Sequence, residues 1–323
     1  MSSLLKAFFY KISKDITFRI TLIVGAGVAI FMILLYFLLD LFLDAEGMKM
    51  LTGQSMLVTS FSPAQNFGIA IPINIDSFVI LEFTQGTIRN KIIAGHSKFK
   101  IYASLYLSGL VLAFSLLLMY VGVCTLFGTI IGGFDLDVAT MVGTGMGAKL
   151  SAEFIIKYVV IALLTYTSLV SFAVFVATLF RSMGPCIPLV MIGIFGLYFL
   201  AVILSTVIMT TESIIDGCNA TIADATLQLA AGADPEKTKA LELSIEMSKQ
   251  TIETTKPTVD TLHNVENVVK CVDPLYAISS PAIKDGVATI DNYTFFTGIG
   301  SNIFYAAAFF IGGACLFKKR DVK

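Results

Sequence analysis

Six apolar runs dominate this sequence, each near the length a helix needs to cross the roughly 30 Å hydrocarbon core of a bilayer. They cover residues 20–43, 64–81, 103–131, 154–180, 185–209 and 294–317. Lipid admits only elements whose backbone hydrogen bonds close internally, which means helices or closed barrels. The runs lack the two-residue alternation of strands, so helices remain. Composition agrees: 56% of the residues are hydrophobic and 14% are charged, where a soluble domain carries about 25% charged residues. The expected fold class is an all-α integral membrane protein with six transmembrane helices. The second run is the weakest, because it holds Pro72, Asn74 and Asp76.

Lysine and arginine set the expected orientation. With six spans, both ends of the chain share one side. That side collects Lys6, Lys11, Lys14, Arg19, Arg89, Lys91, Lys98, Lys100, Arg181, Lys318, Lys319, Arg320 and Lys323. The short loops opposite offer Lys49 and Lys149, with Lys157 near a helix end. Both termini and residues 82–100 are therefore expected to be cytoplasmic, in a multi-pass protein of the cell membrane. A secretory signal is the competing reading of the N-terminus. The first apolar run is far longer than a signal's apolar region, and no small-residue cleavage site follows it.

Residues 2–19 read as an amphipathic helix. Leu4, Leu5, Phe8, Phe9, Ile12 and Ile16 recur at helical spacing, with Lys6, Lys11 and Lys14 between them. Such a helix lies in the interface with its lysines toward anionic headgroups. A poorly ordered tail is the alternative.

Three regions follow. Residues 1–209 hold the N-terminal interfacial helix and helices 1–5. Residues 210–293 carry six Lys against thirteen Asp or Glu, a net charge of −7, and read as an acidic extracellular insert. Residues 294–323 supply helix 6 and a basic tail. The insert is long for a loop, so structure of its own is expected. Asp234-Pro235-Glu236 is a helix-start signature. Leu241, Ile245 and Ile252 then form one stripe, and Leu262, Val265 and Val269 another, which predicts a small helical domain. Cys218 and Cys271 both fall in it. A disulfide between them is chemically permitted outside the cell and would close a loop of about 50 residues, worth about 4 kcal/mol in the chain-entropy model; spacing leaves bridged and free thiols equally open. Cys124, Cys186 and Cys315 lie in or beside the spans as small apolar residues.

Enzyme motifs are poorly supported. The Gly-Thr-Gly-Met-Gly-Ala-Lys run at 143–149 resembles a phosphate loop but has Ala148 where a glycine must precede Lys149. It also follows no predicted strand and is expected on the outer side. The two histidines, His96 and His263, are expected on opposite sides of the membrane, and no cysteine pair shows zinc-ligand spacing. No catalytic residue, metal site or cofactor of this chain's own is expected. Ionisable residues inside spans are costly and often functional. Asp76, near Asn74, either faces a polar cavity or neighbouring helix as part of a pathway, or sits near water at a short or broken helix. Asp40 and Glu153 read as ordinary interfacial residues at helix ends.

The polar ribbon at 82–100 lies between two apolar runs. Gly86 permits a tight turn. Thr87 can cap a short helix over 88–94 that stops at Gly95. Arg89 and Lys91 would lie on its polar side, with Ile88, Ile92 and Ile93 on its apolar side. A merely basic loop is the alternative, and composition does not choose.

Here the sequence resembles the ABC-2 type permeases, the membrane subunits of bacterial ABC exporters. The resemblance rests on Glu82-Phe-x-x-Gly86-Thr87-Ile88-Arg89-Asn90-Lys91-Ile92, then Gly95-His96-Ser97-Lys98 and Ile101-Tyr102. Lys98 stands where arginine is more usual, which keeps charge but not bidentate bonding. The turn at 179–182 fits a second inner loop. The resemblance covers the six-span plan and both inner loops, not the acidic insert. It implies that 86–94 is a coupling helix docking on a separate ABC ATPase, with Glu82, Gly86, Thr87, Ile88, Arg89, Asn90 and Lys91 as coupling residues. It also implies a second permease chain, identical or a sister, and residues 2–19 as an interfacial elbow. ATP and Mg would be bound by the partner alone, and no nucleic acid is implied. The expected function is ATP-driven export of an amphipathic molecule such as a peptide, bacteriocin or antibiotic. The alternatives are a non-transporting sensor or assembly partner that uses the insert as receptor, and an ion-coupled carrier that uses Asp76.

Overall fold

The computed structural model describes residues 2–14, 16–43, 51–62, 70–136, 140–142, 146–180, 183–230, 235–273, 282–284 and 286–319. Ten helices are described: α1 (Ser2–Lys14), α2 (Ile16–Leu43), α3 (Gly53–Phe61), α4 (Ala70–Thr84), α5 (Thr87–Ile93), α6 (Lys98–Gly132), α7 (Ala152–Leu179), α8 (Met183–Ala230), α9 (Pro235–Val272) and α10 (Asn292–Lys319). Five of them, α2, α6, α7, α8 and α10, are long and apolar enough to cross a membrane. The protein is a helical, multi-pass membrane protein.

Residues 64–69 of the second predicted span lie outside the described residues. The rest of its run lies in α4, with fifteen residues and a length of about 22 Å. The segment before it contains α3. This helix is buried on nearly every side and packs on the end of α6.

Helix α7 is the most enclosed of the spans. It runs against α10 along much of its length and also meets α4, α6 and α8. Serines and threonines are tolerated inside these apolar helices because their hydroxyls bond back to their own carbonyls, as Ser104 does to Lys100 at 2.7 Å and Ser108 to Ser104 at 2.7 Å. Polar pairs also cross between helices, as Ser168 does with Asn302 at 2.9 Å and Ser171 with Tyr106 at 3.1 Å. Such bonds hold helices together where lipid offers no hydrophobic drive. Helix α2 lies at the periphery, with Ile23, Phe31, Leu41 and Phe42 exposed.

The bundle has a basic end, carrying α1, α5 and the last turn of α10, and an acidic end. At the acidic end lies a small mixed sheet that an all-α reading did not include. Strands β1 (Thr140–Val142), β2 (Met146–Leu150), β3 (Ala282–Lys284) and β4 (Val287–Thr289) are ordered β1-β2-β4-β3. The central pair is parallel, with Lys149 opposite Val287 and Leu150 opposite Ala288. The glycine-rich run at 143–149 is thus preceded by a strand after all, but it leads into β2 rather than a helix; residues 143–145 are outside the described set. Lys157 fastens the sheet to α7 by donating to the Ile290 carbonyl at 3.1 Å, and it pairs with Glu153 one turn back on the same helix at 2.6 Å. Asp40 accepts from the Leu51 amide at 2.7 Å.

Within residues 210–273, α8 and α9 form a helical hairpin. Helix α8 has 48 residues and continues out of the bundle unbroken, for a length of about 72 Å. Helix α9 returns antiparallel to it, and Leu262 and Val269 pack on Ala201, Leu204 and Ile208. The last part of the fifth apolar run is therefore covered by α9. Asp234 is outside the described residues, and α9 begins at Pro235 as its signature required. The two predicted stripes are one, because buried Val259 joins them; Val265 points away and is exposed.

The hairpin also keeps the two insert cysteines apart. Cys218 and Cys271 are both free. The antiparallel register sets His263 beside Glu212, with Val269 in the cluster that holds Leu204 and Ile208. Cys218 and Cys271 are then about 20 Å or more apart along the axis, and a bridge needs Cα atoms within about 7 Å.

His263 joins the two arms, with Nδ1 3.0 Å from Glu266 and Nε2 3.0 Å from Glu212. Hydrogen bonding to Glu266 is the largest cause raising its pKa above the usual histidine range, and Glu212 adds to it. A raised pKa stabilises the fold below the unfolded value, and that contribution is lost as pH rises through the folded value. Amide exchange around 260–266 is expected to quicken as pH climbs through that window after correction for intrinsic rates, and His263→Gln should remove the dependence. Exchange equally pH-sensitive in the variant would refute the clasp.

Candidate functional site

The polar ribbon resolves into a charged node. Helix α4 ends at Thr84, and the chain turns at Gly86, whose φ of 66° is left-handed. Glycine adopts that conformation without the cost a Cβ imposes. Gly86 is thus the N-cap of α5. Thr87 is not the cap: its hydroxyl turns back to Glu82, 2.6 Å from the carboxylate and 2.9 Å from the carbonyl.

Glu82 is the centre of the node and is 1% exposed. Lys91 of α5 and Lys11 of α1 each place an ammonium 2.6 Å from one of its oxygens. Lys11 also donates to Gln85 at 3.2 Å. The Lys91 ammonium lies 3.5 Å from the Phe8 ring centre, and Phe8 meets Phe78 edge-on at 6.0 Å. A cation over an aromatic face is attracted by the ring quadrupole. Three helices, α1, α4 and α5, are therefore tied through one carboxylate.

Burial acts on both partners. It raises the Glu82 carboxyl, but the bonds from Lys11, Lys91 and Thr87 outweigh it, so the group sits below its usual range. For Lys91 burial wins over Glu82, and its pKa falls below the usual ammonium range. A buried ion pair of this kind adds little net stability but fixes position firmly, because losing one partner strands the other.

Two sequence expectations change here. Lys91 faces inward rather than along the polar side of α5, and Lys11 points at Glu82 rather than at headgroups. On the apolar side, Ile88 is buried and Ile92 half-buried, but Ile93 is 74% exposed. The free face of α5 thus presents Arg89, Asn90, Ile93 and Ala94, with Phe99 exposed just beyond. Gly95, at φ 84°, ends the helix. The end of α10 braces the node: Phe317 meets Phe83 at 5.9 Å, and Lys98 donates to the Lys318 carbonyl at 3.2 Å.

Sequence reasoning missed α1 as part of this site. One signal was present: Lys11 falls on the same helical face as Phe8 and Ile12, and a cation on a buried stripe calls for an acid partner. In α1, Phe8 and Ile12 are buried while Lys6 and Lys14 are exposed; the side chains of Leu4 and Leu5, like Arg181, Ser182 and the Pro72 side chain, lie outside the described residues.

The pathway residues are not brought together. Asp76 is fully buried and neighbours the Cys186 thiol of α8, so it is not near water. Asn74 accepts from Thr21 of α2 at 2.7 Å. Residues two apart on a helix point about 200° apart, and the two polar groups meet different neighbours. The sequence matches no family model and no curated protein.

Proposed function

We propose that this chain is the permease subunit of an ABC-2 type exporter, with α5 as the coupling helix on the cytoplasmic side. The observation that carries this reading is a short helix locked on one face and bare on the other. Glu82 holds the inner face through Lys91 and Thr87, while Arg89, Asn90 and Ile93 stay exposed. A push on the bare face passes through Glu82 into α4 and through Lys11 into α1. In this reading α3 and α4 together take the place of the second span, both termini are cytoplasmic, and the acidic hairpin is extracellular. A separate ABC ATPase binds ATP and Mg, a second permease chain completes the pathway, and the cargo is amphipathic.

The test uses the assembled complex with its ATPase. Gly86→Pro forces φ to about −65° where the turn needs a positive value. Arg89→Glu reverses the charge on the docking face and is expected to weaken assembly by about tenfold or more. Both should abolish cargo-stimulated ATP turnover while membrane insertion stays normal. Normal stimulation in both variants would remove the assigned role. Cargo binding without movement into reconstituted vesicles would favour the sensor.

A further inference from the structure

A second feature lies midway along α7 and α10, away from the charged node. Helix α8 leans on α7 but hardly touches α10. The gap is an apolar cleft of about 480 Å³, open on one side, with walls formed by Phe172, Gly193, Gly196, Leu197, Tyr305 and Phe309. Its volume falls in the range of small-ligand pockets. Ile192 and Leu200, at its rim, are 70% and 50% exposed, so it opens toward the bilayer.

The two glycines behave differently. A Cβ on Gly193 would stand 2.9 Å from the Phe172 ring, so that glycine permits close packing. A Cβ on Gly196 would meet nothing within 4 Å. Gly196 therefore leaves space that no side chain of this chain fills.

The chemistry of the occupant follows from the lining. Ser168, a polar group in the wall beside Tyr305, lies 2.8 Å from the Thr165 carbonyl and 2.9 Å from the Asn302 side-chain oxygen, so its single proton is already held within the protein. Asn302 in turn donates to the Gly298 carbonyl at 2.8 Å. These bonds leave the cleft with little to offer a polar group. Phe172 and Phe309 stand 5.1 Å apart, and Tyr305 stacks on Phe309 at 5.9 Å, which makes one wall a continuous aromatic surface. An apolar cavity stays dry and takes an apolar guest, and at this depth the surrounding medium is hydrocarbon.

We propose that this cleft is a binding site for a single alkyl chain, entered sideways from the membrane. The chain belongs either to a membrane phospholipid or to a single-chain amphiphile. The site stands on its lining and depth and does not depend on the transport reading.

The experiment uses the full chain in lipid nanodiscs. Two photoactivatable probes carry a mid-chain diazirine, one a phosphatidylcholine and the other a long-chain alkylamine. Labelling mapped by peptide is expected on the α7 and α10 walls near Phe172 and Phe309. It should exceed that on the lipid-facing surface of α2 by about tenfold, the ratio set by about 1.4 kcal/mol of preference. Gly196→Leu should reduce cleft labelling to the α2 level without changing α2. Gly196→Ala serves as the milder variant, with a partial reduction expected. Excess unlabelled alkylamine that displaces the lipid probe identifies an amphiphile site; failure to displace it identifies a resident lipid. Cleft labelling no higher than on α2, or unaffected by both variants, would overturn the proposal. So would disulfide-linked dimers formed through Gly196→Cys, which would show a second copy filling the gap.

Discussion

Glu82→Gln is expected to release α1 and α5 from α4 and to cost about 3–5 kcal/mol, the range for stranding the partners of a buried charge. Glutamine keeps the volume and one acceptor. It leaves two ammonium groups, each placed 2.6 Å from the lost carboxylate, facing one another in a poorly hydrated site. Lys91 suffers more, because its side chain is 18% exposed against 32% for Lys11. Lys11→Met alone is therefore expected to cost less, about 1 kcal/mol or under, since water already screens that ammonium. A double variant, Glu82→Gln with Lys91→Gln, should recover part of the loss, because the remaining lysine can swing to water. The readouts are thermal unfolding and the reaction rate of a thiol placed by Ile93→Cys, which reports how firmly α5 is held. Glu82→Gln indistinguishable from the parent in both would dismiss the node.

Acid offers a second check on the same group. The Glu82 carboxyl is held below its usual range, so its stabilisation is complete above the unfolded value of about 4.3. It is lost only as pH falls through the lower folded value. The clamp should hold across neutral pH and open in acid, the opposite direction to the His263 clasp.

Long elements were legible because the bilayer demands them. A span must be a continuous apolar helix, and α2, α6, α7, α8 and α10 are the runs that meet that demand at full length. What the sequence hid depends on partners far away. The sheet joins Lys149 to Val287, and strands of three to five residues carry too little alternation to be read alone. Lys91 looked like a solvent-facing charge because nothing local reveals an acid on a different helix, and the face Lys11 shares with Phe8 and Ile12 does not say which acid it meets. Gly86 was legible for the opposite reason: its left-handed turn is a property of one residue. Pro257 inside α9 gives no sign that the stripe runs on through Val259 to Leu262.

Gly132→Ala is expected to unseat α3, at the opposite end of α4 from Glu82. Three glycines let α3 and the chain before it lie against the last turns of α6. A Cβ at Gly128 would stand 2.6 Å from Cγ and 2.9 Å from Cβ of buried Met56, so a side chain rather than the backbone takes the closest contact. A Cβ at Gly132 would fall on the carbonyl of Leu51, and one at Gly53 on the Thr129 hydroxyl. A backbone carbonyl cannot rotate away, so Gly132→Ala must part the two segments. Separation would also break the Gly53 amide bond to the Gly133 carbonyl at 2.8 Å. It would break both bonds of the buried Gln54 side chain, which donates to the Asp135 carbonyl and accepts from the Asp135 amide. A cost of about 2–4 kcal/mol follows from overpacking with loss of buried hydrogen bonds. Gly122→Ala is the control on the same helix: its Cβ meets nothing within 4 Å, so helix propensity predicts a gain of about 0.5–1 kcal/mol. Thermal unfolding should rank Gly122→Ala above Gly128→Ala above Gly132→Ala. Equal effects at 122 and 132 would disprove the seat. Because α3 leads into α4, the thiol at residue 93 tests how far the disturbance travels: faster reaction in Gly132→Ala would show α4 acting as a rod between its two anchors, and an unchanged rate would show that the Glu82 node holds α5 unaided.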